Sequence, residues 1–133
     1  MRIIDANIIL RYLTNDVQDQ AERAGELLAK VEAGSEEVLL PDIILADIIW
    51  VLEGYYKQSR EQIREWITTI LSMQGLRFSD KSVALDALDI YVDLGIDWSD
   101  AFVTGQMINH GIMEIYSFDR HFDRIGAIKK IEP

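Results

Sequence analysis

The sequence contains no cysteine and only two prolines among its 133 residues. The lack of thiols excludes a disulfide framework, and it excludes zinc or iron-sulfur sites built on thiolates. A hydrophobic share of 49% is typical of a compact domain that buries about two thirds of its unfolded surface. We therefore predict a single domain over residues 1–133 that folds without covalent cross-links.

Long apolar runs are also missing. No stretch approaches the roughly 20 apolar residues that a membrane-spanning helix requires. Only Arg2 precedes the short apolar run at the N-terminus, which is typical of a strand and not of a signal peptide. The sequence predicts a cytoplasmic protein without membrane attachment.

Positive charge is scarce as well. Thirteen Lys and Arg residues face 23 Asp and Glu residues, which gives a formal net charge of -10. Surfaces that follow a phosphate backbone are normally basic. Any nucleic acid would have to be held by local basic patches, because the overall electrostatic field of the protein would repel it.

Short apolar runs alternate with segments of helical periodicity along the whole chain. This alternation predicts an α/β fold, a three-layer sandwich with a mainly parallel central sheet flanked by helices. The predicted helices cover about 7–13, 17–32, 42–52, 59–74, 80–94 and 97–110, with a short helical segment after Asp119. The predicted strands cover about 1–4, 37–40, 76–78, 114–118 and 129–131.

Four aspartates stand in settings that suit a site. Asp5 and Asp119 each follow an apolar run, so two strands of one parallel sheet would carry them to its carboxyl edge. Capping of the following helix is the alternative for both. Asp97 and Asp100 begin a helix; capping is favoured for Asp97, whereas Asp100 is expected to point into the cleft.

Asp47 is anomalous because it interrupts the most apolar helix of the chain, which we expect to be central. A buried carboxylate must be paired, neutralised or bound to a cation. The alternative is exposure on a narrow polar strip with Glu53 or Tyr55.

The four carboxylates would repel one another if they met. At about 5 Å and an effective dielectric near 20, each like-charged pair costs about 3 kcal/mol. A divalent cation relieves this repulsion, and an all-oxygen site without histidine or cysteine suits Mg²⁺, or Mn²⁺, better than zinc. Such a site favours hydrolysis of phosphodiesters.

Three blocks of sequence resemble PIN-domain ribonucleases and, among these, VapC-like toxins of toxin-antitoxin pairs. The blocks are IDANIILRYL at 4–13, LADIIWVL at 45–52, and DWSDA at 97–101 leading into IYSFDRHF at 115–122. The resemblance implies that Asp5, Asp47, Asp100 and Asp119 are the catalytic, metal-binding acids of an endoribonuclease. It also implies supporting roles for Asn7 and Asp97.

One position departs from the family pattern. The family usually has glutamate where this chain has Asp47, and the missing methylene shortens the reach by about 1.5 Å. A catalytically inactive binding module of the same fold is therefore the alternative function. An aspartyl phosphotransferase is disfavoured because Asn7 stands where a second aspartate is expected.

The resemblance and the charge together predict the binding partners. The resemblance implies an RNA substrate, for which Arg11 and Arg120 are the candidate contacts, with solvated surface charge as the alternative. It also implies a cognate antitoxin whose basic segment enters the acidic cleft, and a homodimer. Apolar helix surface containing Trp50, Tyr55 and Trp66 would serve the homodimer or the hydrophobic portion of the antitoxin, with ordinary core packing as the alternative. His110 and His121 are expected at a helix end and on the surface, without a catalytic role.

Overall fold

A computed structural model describes all 133 residues, and the chain forms two compact units, Met1–Lys81 and Ser82–Pro133. Every strand pair in both units is parallel. Helices connect most of the successive strands, which confirms the predicted α/β sandwich class with parallel strands.

The first unit contains three strands and four helices. In chain order these are β1 (Arg2–Ile3), α1 (Ala6–Thr14), α2 (Gln18–Ala33), β2 (Val38–Leu39), α3 (Asp42–Gly54), α4 (Arg60–Leu71) and β3 (Leu76–Arg77). The strands lie in the order β1-β2-β3, with Arg2 opposite Val38 and Val38 opposite Leu76.

The second unit is built around two helices and a two-stranded sheet. Its elements are α5 (Lys81–Asp93), which begins at the boundary, α6 (Trp98–His110), β4 (Glu114–Tyr116), a 3-10 helix (Arg120–Arg124) and β5 (Lys129–Ile131). Its apolar core includes Ile96, Met107, Phe122, Ile125 and Ile128. None of the helices in either unit combines the length and apolarity needed to cross a membrane.

Local signals set most of the helix boundaries. The apolar stripe predicted for α2 is buried at Ala21, Ala24, Leu28 and Val31. The helix ends at Gly34, whose φ of 80° is the left-handed conformation that glycine adopts without a steric penalty. Ser59 begins α4 as predicted, because its hydroxyl accepts a hydrogen bond from the Gln62 backbone N–H at 3.1 Å.

Helix α3 differs from its predicted central position. Leu45, Ile48 and Leu52 are buried, but Ile43 is 71% exposed and Trp50 is 77% exposed. The helix is therefore buried along one side only. Asp47 is exposed, so the expected cost of burying its charge does not arise.

The strands form two hydrogen-bonded sheets, whereas a single sheet was predicted. Strand β1 belongs to the first sheet and β4 pairs only with β5, Glu114 lying opposite Lys129. Strand pairing therefore does not carry Asp5 and Asp119 to one sheet edge. Each acid nevertheless follows its strand and precedes a helix, as predicted.

Gly75 is required where the chain enters β3. A Cβ at this position would lie 2.0 Å from the Glu36 carbonyl oxygen. The Gly75 N–H donates to the Val31 carbonyl, and its carbonyl accepts from the Val38 N–H, so the backbone has no room to shift.

Gly75→Ala should therefore destabilise the protein by about 2 kcal/mol or more, because the added methyl group overlaps backbone atoms. Thermal melting should show a loss of several degrees. Gly54→Ala is the control, since nothing lies within 4 Å of a Cβ there and alanine favours the helix. Equal melting temperatures for Gly75→Ala and the wild type would contradict the steric account.

Candidate metal-binding site

Three side chains of the second unit converge on one point. The ligand atoms of Asp100, Asp119 and His121 all lie within 4.8 Å of one another. The side chains of Asp100, Asp119 and His121 are 26%, 40% and 35% exposed. The cluster is therefore partly shielded by protein and still open to water and to a substrate.

Asp100 is held at the start of α6. It lies in the first helical turn, where unpaired backbone N–H groups favour a negative charge. Trp98, the first residue of the helix, is buried and contacts Tyr91 of α5 edge to face, with ring centroids 6.1 Å apart. This packing anchors the end of the helix that carries the carboxylate.

Asp119 is held by hydrogen bonds on both sides. Its backbone N–H donates to the Ser117 hydroxyl at 2.9 Å, and its Oδ1 accepts from the His121 backbone N–H at 2.9 Å. The latter bond is the main cause that holds the pKa of Asp119 below 3.8, and the charges on His121 and Lys130 act in the same direction. The carboxylate therefore remains ionised at neutral pH.

Capping and a site role are thus compatible at Asp119. The carboxylate caps the 3-10 helix, so the predicted alternative to a site role, helix capping, is confirmed. Its Oδ1 also lies 3.3 Å from His121 Nδ1, within the converging cluster.

His121 was missed by the sequence analysis, which placed it on the surface without a role. Its Nδ1 lies 3.2 Å from Asp100 Oδ2, and the ring is only half-exposed. The sequence contained a signal for this position: residue 121 follows a helix-capping aspartate by two residues, and the cap bond turns the chain back on that carboxylate.

The two other predicted acids lie in the first unit. Asp5 is the N-cap residue of α1, but its exposed side chain makes no capping hydrogen bond, so side-chain capping is the wrong interpretation there. Asp47 lies on the exposed side of α3, the helix that packs against α1. The structure thus brings Asp100 and Asp119 together, and it adds His121 to them.

Asp97 and Asn7, the two residues with predicted supporting roles, lie at the starts of helices. Asp97 is the N-cap residue of α6 as predicted, but its side chain makes no capping hydrogen bond; its backbone carbonyl accepts from the Ala101 N–H at 2.9 Å. Asn7 is exposed at the start of α1 and lines a groove of about 350 Å³ together with Ile8 and Arg11.

The candidate RNA contacts also differ from each other. Arg120 is exposed next to Asp119. Arg11 is instead engaged: its Nε donates to Gln20 at 2.9 Å, and one terminal nitrogen lies 3.4 Å from the Tyr56 hydroxyl and 3.5 Å from Asp16. Arg11 is therefore not a freely solvated charge, which corrects the alternative considered for it.

Tyr56 completes this network. Its hydroxyl donates to Asp16 Oδ2 at 2.5 Å, and this bond is the main cause of the lowered pKa of Asp16. Burial, followed by the bond to Asp16, raises the pKa of the Tyr56 hydroxyl. The network ties the loop after α1 to the loop after α3.

Tyr56→Phe should lower the melting temperature more at pH 7 than at low pH. The pKa of Asp16 is lowered in the folded state, so its contribution is present above 3.8 and is lost as the pH falls through the lowered value. Tyr55→Phe is the control, because Tyr55 is the exposed neighbour and both variants keep the ring. A pH-independent difference between Tyr56→Phe and the wild type would contradict this role for the bond.

Two comparisons relate nearly the whole chain to known proteins. A family profile described as "PIN domain" matches residues 2–128. A VapC ribonuclease of Aquifex aeolicus (strain VF5) is 24% identical over 133 residues, an alignment that covers 100% of this chain and 97% of that protein.

Proposed function

Because this chain belongs to the PIN-domain family, we propose that it is a metal-dependent endoribonuclease that hydrolyses RNA and serves as the toxin of a toxin-antitoxin pair. The resemblance to PIN-domain, VapC-like proteins is confirmed by the family match and by a relative aligned over the full chain. We place its activity in the cytoplasm, as the sequence analysis predicted.

The observation that carries this proposal is the convergence of Asp100 and Asp119. Their carboxylates meet His121 within 4.8 Å, and the lowered pKa of Asp119 keeps that acid charged. Two carboxylates held this close favour a bound cation, because a cation relieves their mutual repulsion. Their oxygens suit Mg²⁺ or Mn²⁺.

We propose that Asp100 and Asp119 hold the metal, and that Asp5 and Asp47 are catalytic, metal-binding acids as well by their positions in the family motifs. A bound divalent ion would lower the pKa of a water and stabilise charge on a phosphoryl oxygen. The anchored start of α6 orients the Asp100 carboxylate before substrate arrives, and the hydrogen bond that Asp119 accepts from the His121 backbone N–H orients the Asp119 carboxylate. Asn7 and Asp97 are proposed to support this acidic set.

RNA must approach a protein whose net charge is -10, so cations near the site carry the attraction. Arg120 is the better candidate because it is exposed and adjoins Asp119. Arg11 would first have to release Gln20 or Asp16. We therefore propose Arg120 as the main phosphate contact and Arg11 as a secondary one.

Asp100→Asn and Asp119→Asn should each lower RNA cleavage by orders of magnitude while the fold is retained, because each removes a charged metal ligand. Cleavage of an RNA pool with Mg²⁺, with Mn²⁺ and with EDTA measures this. Asp123→Asn is the matched control, since Asp123 lies on the same 3-10 helix and pairs with Lys130 at 3.1 Å. Full activity in EDTA, or in both site variants, would rule the mechanism out.

An inactive PIN-like binding module remains the second candidate. The observation that favours it is Asp47, which replaces the usual glutamate and lies on an exposed helix face. RNA binding without cleavage in either metal would support this module and contradict the nuclease.

For partners, we propose a homodimer and a small cognate antitoxin. Trp50 and Tyr55 are 77% and 76% exposed at α3 and its end, whereas Trp66 is half-buried in α4 and contributes less surface. Large aromatic side chains are enriched at protein interfaces. A basic antitoxin segment would form charge-assisted hydrogen bonds with the acidic cluster and exclude RNA.

Trp50→Ser should shift the free protein from dimer to monomer in sedimentation, because it removes the largest exposed apolar side chain of α3. Tyr116→Ser, at an equally exposed aromatic in β4, is the control and should leave the dimer intact. A wild-type protein that sediments as a monomer and co-purifies with no small basic partner from its own operon would contradict both partner proposals.

A further inference from the structure

The ring of His121 is directed towards both carboxylates of the candidate metal site. Its Nδ1 lies 3.2 Å from Asp100 Oδ2 and 3.3 Å from Asp119 Oδ1. The residue is fixed at two points: its backbone N–H is bonded to Asp119, and the next residue, Phe122, is buried in the core of the second unit. The backbone of His121 is therefore fixed beside the two acids.

These separations suit three ligands of one small cation. In octahedral coordination with bonds of about 2.1 Å, adjacent ligand atoms lie about 3.0 Å apart. The distances from Nδ1 to Asp100 and to Asp119 are 3.2 Å and 3.3 Å, and no ligand pair exceeds 4.8 Å. The two nitrogen-to-oxygen distances thus match adjacent ligands of one ion, and the two carboxylate oxygens need only lie within about 4.2 Å, the distance that separates opposite ligands.

A nitrogen ligand changes which ion the site prefers. Mg²⁺ takes oxygen ligands almost exclusively, whereas imidazole binds first-row transition ions. Among those ions, Mn²⁺ is the one that carboxylate oxygens also suit well.

We infer that His121 Nδ1 is a metal ligand, and that it makes this site select Mn²⁺ over Mg²⁺. The inference rests on the proposed function only in taking a divalent ion as cofactor. Without metal, the same nitrogen is hydrogen-bonded to Asp100 and lies at ion-pair distance from Asp119.

Pulsed electron paramagnetic resonance of the Mn²⁺-loaded protein without RNA tests this directly. A coordinated imidazole should give nitrogen modulation, and ¹⁵N-histidine labelling should change it. The chain has two histidines, so His110→Asn is the matched control: His110 is exposed at the end of α6, and the modulation should persist.

His121→Asn should abolish the modulation and weaken Mn²⁺ binding by about tenfold or more, since a lost ligand costs at least as much as a lost outer-shell partner. Its amide oxygen should preserve Mg²⁺ affinity, so the ratio of Mn²⁺ to Mg²⁺ affinity, measured by calorimetry, should fall. If His121→Asn fails to fold, the labelled wild-type protein alone decides the question.

Nitrogen modulation absent from the Mn²⁺-loaded wild-type protein, or equal losses for both ions in His121→Asn, would overturn the inference. Different results would contradict the nuclease proposal and the proposed role of His121. Nitrogen-coordinated Mn²⁺ without RNA cleavage would contradict the nuclease alone, whereas metal-dependent cleavage with an all-oxygen Mn²⁺ site would contradict the role of His121 alone.

Discussion

The hydrogen bond from the His121 backbone N–H to the Asp119 carboxylate is the interaction on which the candidate site depends. It caps the 3-10 helix, keeps the pKa of Asp119 low, and turns the His121 ring towards Asp100. Phe122 anchors the same turn in the apolar core. A single short turn therefore sets the charge of one acid and the position of the nitrogen beside both.

Around this turn two carboxylates lie close together, with the His121 ring beside both. Asp100 is favoured by the start of α6, and Asp119 by a backbone donor and by the charges on His121 and Lys130. In the first unit, the guanidinium of Arg11 donates hydrogen bonds to Asp16, Gln20 and Tyr56. The two carboxylates stay partly exposed to solvent, whereas the Arg11 guanidinium is held by its neighbours in the first unit.

Local sequence signals predicted the elements well because they act over a few residues. Period-3.6 stripes, Ser59 and Gly34 predicted α2 to within one residue at each end and the start of α4, whereas α4 ends at Leu71, three residues before its predicted end. Strand β5 at Lys129–Ile131 is confirmed. The exposure of Trp50 and Asp47 could not be predicted, since an apolar helix does not reveal how many of its sides other elements cover. Side-chain capping at Asp97 also failed, because it depends on a rotamer as well as on position.

By itself the sequence determined the class of fold, the order of helices and strands, and the motif positions of the four acids, since these follow from periodicity, capping residues and the matching blocks. Only the tertiary structure decided that the strands form two sheets, that Asp100 and Asp119 meet, and that His121 joins them. The physical reason is that convergence depends on packing between elements distant in sequence. Asp100 and His121 are 21 residues apart, and the buried anchors Trp98 and Phe122 hold their two segments in place.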